Sequence, residues 1–360
     1  MSRRLSWIAA LAAVLLCASM VNIAPAAAVG PFGPSETVIG GCSNGVGDAA
    51  IAADGTTRGF VNCTGRSSGT IRFFRDTPSA APAVETSPYI GFVEAVAWDG
   101  QDSTYVVFEQ GGTLRIGKRV ESTGAYSPAT TLTTTGANAV FFTADVVAAN
   151  GQWWAVWSEQ VGPGGEFAEI DLFQRHTLLG VQGRTRITTT IDSDDVEPTL
   201  AYSGGRVTMV WTRAFAPAVP GPEDLRIAHS TGGAWLSRPF ASLGNFNSDA
   251  DVTISAGVTW VTWTRDSSVF VADNAGGAFV SRQVTSAGVD STVAVSGSSA
   301  FVAWDAFNAD RVVVAQRTGG VWTSGQLDSP SSFPLRVVAQ GTKARVVYVR
   351  DQAILIRTQT

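Results

Sequence analysis

Acidic residues recur along the chain at intervals of about forty to fifty residues, each close to the start of a short alternating run. They are Asp48, Glu94, Asp145, Glu197, Asp251 with its neighbour Asp249, and Asp290. Carboxylates gathered in one place can hold a cation, bind a cationic or polyhydroxyl ligand, or raise the pKa of one member until it acts as a general acid. Acids before strands also cap turns by accepting backbone N–H groups. Capping is the preferred interpretation, because turn chemistry alone explains an Asp there, and the ligand-binding interpretation stays open beside it.

Few other side chains suggest catalysis. His176 and His229 are the only histidines, and both are predicted to lie on the surface or in turns. The sequence contains no nucleophile elbow, phosphate-binding loop or paired metal motif. We therefore predict no catalytic residue and no cofactor. If the ring of carboxylates binds a cation, Ca²⁺ is a candidate, and a wide ring could hold it only with the help of water molecules.

Composition and charge limit the possible partners. The 360 residues include 25 Lys and Arg against 30 Asp and Glu, and the basic residues are scattered rather than clustered. Because nucleic-acid binding needs a basic stripe, no nucleic-acid partner is predicted. The chain is long enough for one large all-β domain or two ordinary ones.

The N-terminus has the form of a signal peptide. Two arginines precede an apolar run over Trp7–Val21, and Pro25–Ala28 offers small residues for cleavage after Ala28. The remaining sequence has no apolar run long enough to span a membrane. Residues 1–28 are thus predicted to direct secretion, and the mature protein is expected to be an extracellular monomer.

Cysteine usage agrees with export. Cys17 lies in the predicted signal peptide, which leaves Cys42 and Cys63 in the mature chain. Two remaining cysteines in an oxidising compartment are expected to form a disulfide bond. The loop between them is short, so the chain-entropy model gives roughly 3 kcal/mol of stabilisation. Their spacing is not a metal-binding pattern, and no metal site is predicted from them.

A repeated strand reveals the architecture. The alternating run Val207–Arg213 recurs as Thr259–Arg265 and, more loosely, as Ala300–Asp305 and Arg345–Arg350. Such runs are separated by Gly-Gly, Asn-Gly and Asp-Gly turns, and no helical periodicity is found after the signal peptide. Each repeat contains four runs, which predicts four-stranded blades.

The last repeat predicts how the ring closes. It supplies only three runs, whereas Glu36–Gly40 stands as a spare run before the first repeat. If this spare run is the fourth strand of the last blade, the chain forms an all-β, seven-bladed β-propeller over residues 36–360, after a lead-in at 29–35. Six blades is the alternative. In this topology Cys42 and Cys63 fall on one face of adjacent blades, so their disulfide bond would staple the closure.

An aromatic residue stands at the same place in most second strands. These residues, called here the aromatic ladder, are Phe108, Trp157, Trp211, Trp263, Trp304 and Tyr348. Aromatic faces can stack on sugars, but one large ring per blade also packs blade against blade. The packing interpretation is preferred, because a repeat cannot bury its apolar face alone.

The predicted fold places the acids around one mouth of the central channel. First strands line the channel and begin on the face that carries the connections between second and third strands. The two longest of these connections are Ser158–Ala168 and Arg213–Glu223. Long loops on a rigid scaffold commonly carry binding sites. We therefore predict recognition of an extracellular glycan or protein on this face. The residues expected beside the acids are Glu159, Glu166, Arg213 and Glu223.

Three hairpins resemble degenerate Asp-boxes, the motifs of sialidase-like β-propellers of secreted bacterial type. They are Ser230–Trp235, Asn274–Phe279 and Arg317–Trp322, which keep the glycine turn and the aromatic residue but lack the defining Asp. The resemblance implies hydrolysis of a terminal sialic acid by three carboxylate-holding arginines, a tyrosine nucleophile with a glutamate, and an acidic proton donor.

The arginines that would match this pattern are Arg213, Arg265 and Arg350, each at the end of a second strand. The family's Arg-Ile-Pro signature is missing, and Tyr348 beside Arg350 belongs to the aromatic ladder. A glycoside hydrolase of the sialidase type is therefore the alternative to non-catalytic recognition, because fold by itself does not establish function.

Overall fold

A computed structural model describes residues 29–42, 46–63, 69–134, 141–161, 169–189, 193–215, 223–244, 249–306, 311–327 and 332–360. The predicted signal peptide lies outside these ranges, as does Glu166 in one of the long loops. The described residues form strands joined by turns. No helix in this part of the chain is long and apolar enough to cross a membrane.

Seven four-stranded antiparallel sheets make up the fold. The chain begins with β1 (Glu36–Gly40). Blade 1 then contains β2 (Val46–Ile51), β3 (Thr57–Asn62), β4 (Thr70–Thr77) and β5 (Ala80–Ile90). Blade 2 contains β6 (Phe92–Trp98), β7 (Ser103–Glu109), β8 (Thr113–Val120) and β9 (Thr130–Thr134). Blade 3 contains β10 (Phe141–Ala149), β11 (Gln152–Val161), β12 (Glu169–His176) and β13 (Gln182–Arg186).

The remaining blades repeat this order. Blade 4 contains β14 (Ser193–Ser203), β15 (Arg206–Phe215), β16 (Glu223–Ser230) and β17 (Leu236–Gly244). Blade 5 contains β18 (Asp251–Ser255), β19 (Val258–Arg265), β20 (Ser268–Asp273) and β21 (Val280–Thr285). Blade 6 contains β22 (Val289–Ser296), β23 (Ser299–Asp305), β24 (Val312–Thr318) and β25 (Val321–Gln326). Blade 7 contains β26 (Ser332–Gln340), β27 (Lys343–Arg350), β28 (Ala353–Thr358) and β1.

The blades form a closed ring around a central channel. First strands of neighbouring blades contact one another in turn, from β2 through β6, β10, β14, β18 and β22 to β26 and back to β2. The first strands therefore line the channel. We call the end at which they begin the mouth end, and the opposite end, with turns such as Ser203–Arg206, the far end. The seven-bladed prediction is confirmed, and the six-bladed alternative is wrong.

The ring is closed by the N-terminal strand, as predicted. β1 pairs antiparallel with β28, with Glu36 opposite Ile356 and Gly40 opposite Ala353. Directly after β1, Cys42 forms a disulfide bond with Cys63 at the end of β3. Both cysteines are buried. The bond thus joins blade 7 to blade 1 at the mouth end, which confirms the predicted pairing and its place at the closure.

A buried ion pair joins the same two blades at the far end. Arg345, at the start of β27, lies 2.8 Å from Asp76 at the end of β4. Its guanidinium also donates to the Gly55 carbonyl at 2.9 Å and to the Thr57 hydroxyl at 3.1 Å. The closure is therefore fastened at both ends of the channel, covalently at one and by charge-assisted hydrogen bonds at the other.

The aromatic ladder packs inside the blades. Each of its six side chains is at most 3% exposed. Trp211 packs with Trp154 and Met209 in one core cluster, and Trp263 packs with residues of blade 4 and blade 5 in the next. The packing interpretation is confirmed, so these rings are not available to stack on a sugar.

One histidine differs from its predicted position. His176 is 1% exposed rather than on the surface. Its ring stacks on Trp154 with centroids 3.8 Å apart, and its two nitrogens contact the Leu178 carbonyl at 2.8 Å and the Gln182 side chain at 2.6 Å. His229 lies half-buried beside the Thr208 hydroxyl at 2.9 Å, and burial lowers its pKa. Both rings are used in packing and local hydrogen bonds.

Candidate functional site

The predicted acids meet around a cavity at the mouth end of the channel. The cavity has a volume of about 320 Å³. Seven carboxylates and one guanidinium line it, from Asp48, Glu94, Asp145, Glu197, Asp249, Asp251, Asp290 and Arg336. We call this group the acidic mouth. The six repeated acids and Asp249 are thus brought together, although whether they bind a ligand stays a prediction.

Strand register sorts these residues into two layers. In the inner layer, four charged residues occupy equivalent positions on the first strands. Each is paired with a second-strand residue that, in blades 3, 5 and 7, immediately precedes the residue of the aromatic ladder. The pairs are Asp48 with Phe60, Asp145 with Val156, Asp251 with Thr262 and Arg336 with Val347. Blades 2, 4 and 6 place the small residues Ala95, Thr199 and Thr292 at this level. Charged and small side chains therefore alternate from blade 1 to blade 7, and two charged residues, Arg336 and Asp48, meet where the ring closes.

Each inner-layer aspartate connects two blades. Asp48 accepts the N–H of Ala49 at 2.7 Å and that of Val96 in the next blade at 2.9 Å. Asp145 accepts from Val146 and Leu200 in the same way. The next blade carries a small residue at this level, which leaves room for each carboxylate to reach that blade's backbone. The capping interpretation therefore holds for these aspartates, in a form that spans adjacent blades.

Asp251 makes the largest set of contacts in the inner layer. It accepts the N–H of Val252 at 2.9 Å, the N–H of Val293 at 2.8 Å and the Thr292 hydroxyl at 2.8 Å. The Arg336 guanidinium lies 3.2 Å away. This carboxylate is 4% exposed and fixed from several directions, so it forms a rigid wall of the cavity.

The outer layer consists of acids on irregular backbone. Glu94, Glu197 and Asp290 lie where the pairing of first and second strands shifts register. Glu197 and Asp290 have positive φ angles of 55° and 52°, and Asp249 has one of 50°. Such conformations cost about 1 kcal/mol or more outside glycine and cluster at functional sites. β-Bulges re-aim side chains, and here they accompany carboxylates that line the mouth.

Arg336 is the residue that the sequence reasoning missed. Its side chain lies 3.2 Å from Asp251 and 3.9 Å from Asp48, so it links acids of blades 5 and 1. Counted from the start of its strand, the seventh repeat has Pro334 where the others have an acid. A register shift between Pro334 and Arg336 explains the difference. In the facing strand, Val347 precedes Tyr348 of the aromatic ladder and pairs with Arg336. Counting from Tyr348 would therefore have placed Arg336 level with the inner-layer aspartates.

The mouth shifts the pKa of several acids. Burial raises the pKa of Asp145 to about 7, the Arg336 charge opposes the rise, and the Asp48 carboxylate adds like-charge repulsion. Burial also raises the pKa of Asp48 and of Asp290. The raised pKa of Asp145 agrees with the expectation that the ring would perturb one member, but its main cause is burial rather than repulsion.

The other predicted site residues lie outside the cavity lining. Glu159 accepts hydrogen bonds from Trp157 and Arg184, both at 2.9 Å. Arg213 makes a bidentate contact with the buried Asp195 at 2.8 and 2.9 Å.

Arg265 and Arg350 also have acidic neighbours close by in the chain. Arg265 lies 3.9 Å from Asp266, and Arg350 lies 3.4 Å from Asp351. The structure thus does not bring the three predicted arginines into the acidic mouth. Among the described residues, no group of three or more His, Cys, Asp or Glu side chains is arranged to hold a metal ion.

Known structures share the architecture at low sequence identity. An α-L-arabinanase of Penicillium chrysogenum complexed with arabinobiose aligns with a TM-score of 0.52 at 8% identity, covering 83% of this chain and 98% of its own. YCF48 bound to the D1 peptide aligns with a TM-score of 0.54 at 11% identity, covering 93% and 97%. A Trypanosoma rangeli sialidase with the inhibitor DANA reaches 0.44 at 10% identity, covering 87% and 54%.

The two alignments with TM-scores above 0.5 support the fold and leave the activity open. One of these two structures is an α-L-arabinanase, and the other is a protein bound to a peptide. No protein family matches the chain by sequence, and no curated protein does. Function must therefore be argued from the site.

Replacing Arg336 with Met is expected to lower the free energy of unfolding by about 2 kcal/mol near neutral pH. This lies between the typical cost of breaking an exposed ion pair and that of breaking a buried one, since the Arg336 side chain is 29% exposed. Arg336 lowers the pKa of Asp48 and Asp145, so without it both carboxyls hold protons to higher pH. The deficit should therefore grow as pH rises from about 5 to about 8.

Chemical denaturation at several pH values measures this effect. Arg265→Met is the matched control, because Arg265 is 47% exposed and lies beside a single exposed acid. Its cost should stay below about 0.5 kcal/mol and show no comparable pH dependence. If the two variants lowered the free energy of unfolding equally, Arg336 would contribute no more to stability than an exposed arginine.

Proposed function

We propose that the protein is a secreted, non-catalytic recognition module that binds an extracellular ligand at the acidic mouth. The observation that carries this proposal is the lining of the cavity, with seven carboxylates against one guanidinium. Walls of low dielectric constant focus a negative potential in such a mouth. The ligand chemistry that fits is a cationic group, an ammonium or a guanidinium, carried by a basic protein segment or by an amino sugar of a glycan.

The geometry supports recognition for a second reason. Inner-layer aspartates such as Asp48 and Asp251 are held by backbone N–H groups of two blades, so they need no reorganisation to meet a ligand. The aspartates of this layer face one tethered cation, Arg336. The outer-layer acids Glu94, Glu197 and Asp290 line the same cavity and precede the inner-layer positions along their strands, which places them nearer the mouth end. A ligand cation would enter among these outer acids.

Calorimetric titration with two cationic probes tests the proposal and separates the two sources. A glucosamine oligomer represents the glycan, with its N-acetylated form as neutral control. A lysine-rich peptide represents the protein, with its acetyl-lysine form as control. Binding of one cationic probe and not of its neutral form is the expected result. If neither cationic probe binds, the proposal fails.

A charge-removing variant locates the binding. Asp290→Asn is expected to weaken the cationic probe about fivefold, because one carboxylate of the mouth loses its charge. Asn tolerates the positive φ of this position, so the backbone is preserved. Asp266→Asn is the matched control, since Asp266 also has a positive φ and stands at the mouth end outside the cavity lining. Equal affinities of the two variants would contradict binding at the mouth.

Binding of the lysine-rich peptide should strengthen as pH rises. Asp145 titrates at about pH 7, so it gains its negative charge between about pH 6 and about pH 8 while lysine stays protonated. Titrations across this range measure the dependence, and Asp145→Asn should remove most of it. A pH-independent affinity in the wild-type protein would exclude Asp145 from the site.

One observation favours hydrolysis of a glycoside as a second candidate. A carboxyl group with a pKa of about 7, such as that of Asp145, suits a general acid. The specific sialidase pattern has less support, because the cavity lining contains neither a tyrosine nor any of the three predicted arginines. Release of a fluorophore from a sialoside, abolished in Asp145→Asn, would favour the enzyme over the recognition module.

A further inference from the structure

Four exposed aliphatic side chains occupy the same position in four consecutive blades. Val181, Leu236, Val280 and Val321 stand at or immediately before the start of the outermost strands of blades 3, 4, 5 and 6. They are 87%, 76%, 48% and 62% exposed. Since fourth strands begin where third strands end, all four lie at the far end, opposite the acidic mouth. We call them the aliphatic arc.

Single apolar residues scattered over a protein surface are normal. Exposed aliphatic residues at the same position of four consecutive blades are not scattered. Only two other large aliphatic residues of the described chain are comparably exposed, Val84 and Ile90 on β5 of blade 1. The arc thus holds most of the exposed aliphatic side chains in one sector of one face.

The charges at the far end differ between the sector of the arc, blades 3 to 6, and the sector of blades 1 and 2. The turns and hairpins of this end in blades 3 to 6 contain no Asp or Glu. Blades 1 and 2 instead carry Asp54, Asp99 and Asp102 in the corresponding turns. The sector of the arc is therefore free of acids in its turns, while the rest of the far end is not.

Basic side chains accompany the arc. Arg206 begins β15, Arg238 stands two residues after Leu236, and Lys343 begins β27 in the adjoining blade. Arg238 and Lys343 are exposed. One acid ends a third strand nearby, Asp273, but it is 5% exposed and paired with two arginines. The exposed charge of this sector is thus positive, in a chain whose net charge is −5.

We propose that the aliphatic arc docks the propeller on a lipid surface with anionic headgroups. The four aliphatic side chains stand one per blade along the far end. Each can enter the boundary between headgroups and acyl chains, while nearby Arg and Lys attract the headgroups. Docking in this orientation turns the acidic mouth away from the membrane. The proposal goes beyond ligand recognition at the mouth and does not depend on it.

Vesicle co-sedimentation of the mature protein tests the proposal. Vesicles of phosphatidylcholine alone are compared with vesicles containing equal parts of phosphatidylcholine and phosphatidylglycerol. The wild-type protein is expected to sediment with the mixed vesicles and much less with the neutral ones. Val280→Asp should reduce the bound fraction about fivefold, because it places a carboxylate among the inserting side chains.

The matched control is Val84→Asp. It changes the same residue type on another outermost strand at a similar exposure of 41%, and it adds the same charge outside the arc. This variant should bind like the wild type. If both variants bind equally well, or if the wild-type protein does not sediment with the mixed vesicles, the proposal is overturned.

A protein interface is the competing outcome. Sedimentation velocity without lipid measures self-association of the wild type and of Val280→Asp. If the wild type self-associates and Val280→Asp abolishes it, the arc is a contact between copies of this chain and the lipid proposal is wrong. Unchanged thermal unfolding of both variants shows that any loss of vesicle binding comes from the surface and not from misfolding.

Discussion

Arg345→Met is expected to lower the free energy of unfolding by about 3–5 kcal/mol, the range for breaking a buried ion pair by removing one partner. Asp76 is fully buried, and the Arg345 side chain is 9% exposed. Without the guanidinium, the Asp76 carboxylate keeps no counter-charge, and the Gly55 carbonyl and the Thr57 hydroxyl lose a donor. The ring would weaken where blade 1 meets blade 7.

A double-mutant cycle separates the ion pair from the packing. Asp76→Asn combined with Arg345→Met leaves no buried charge, so it should recover about half of the loss seen in the single variant. Denaturant unfolding of the four proteins gives the coupling energy. The single variant should also gain relative stability at low pH, because burial already raises the pKa of Asp76 and Arg345 holds it down. A single variant within about 1 kcal/mol of wild type would contradict a structural role for the pair.

Removing the disulfide bond is expected to cost about 3 kcal/mol. Cys42 and Cys63 are separated by 21 positions in sequence, and their bond connects β1 of blade 7 to β3 of blade 1. Opening it frees the end of β1, the strand that completes the last blade. The ring then depends on strand pairing and on the far-end ion pair for closure.

The double variant Cys42→Ala, Cys63→Ala tests this without leaving a reactive thiol. Its unfolding is compared with that of the wild-type protein under oxidising and reducing conditions. Reductant should lower the stability of the wild type toward that of the variant and leave the variant unchanged. If the variant were as stable as the oxidised wild type, the disulfide bond would have no part in holding the closure.

The disulfide bond and the Arg345–Asp76 ion pair both hold the ring closure, but they differ in how far the sequence could predict them. Cys42 and Cys63 are the two cysteines left after the predicted signal peptide, which predicted their pairing. Their positions relative to the repeats predicted its place at the closure. Arg345 and Asp76 offered no such signal, because the chain contains many arginines and aspartates in similar strands. Only the packing of β27 against blade 1 identifies these two as partners.

The acidic mouth was likewise predicted only in part from the sequence. Spacing within the repeats predicted that the acids would share one end of the channel, and the cavity lining contains all of them. The division into two layers was not predicted, because it depends on β-bulges at Glu94, Glu197 and Asp290. A bulge shifts a side chain along the strand without a clear mark in the sequence.

The amino-acid sequence alone predicted the four-stranded blade, the closing strand and the disulfide bond, and it favoured seven blades over six. Alternation of apolar and polar residues and glycine turns are local sequence patterns, and they recur in each repeat. Tertiary structure alone placed Arg336 against Asp251, 85 positions away, and engaged Arg213 with Asp195 instead of the mouth. Contacts across a channel depend on strand register and on several blades at once, and these are properties of the closed ring.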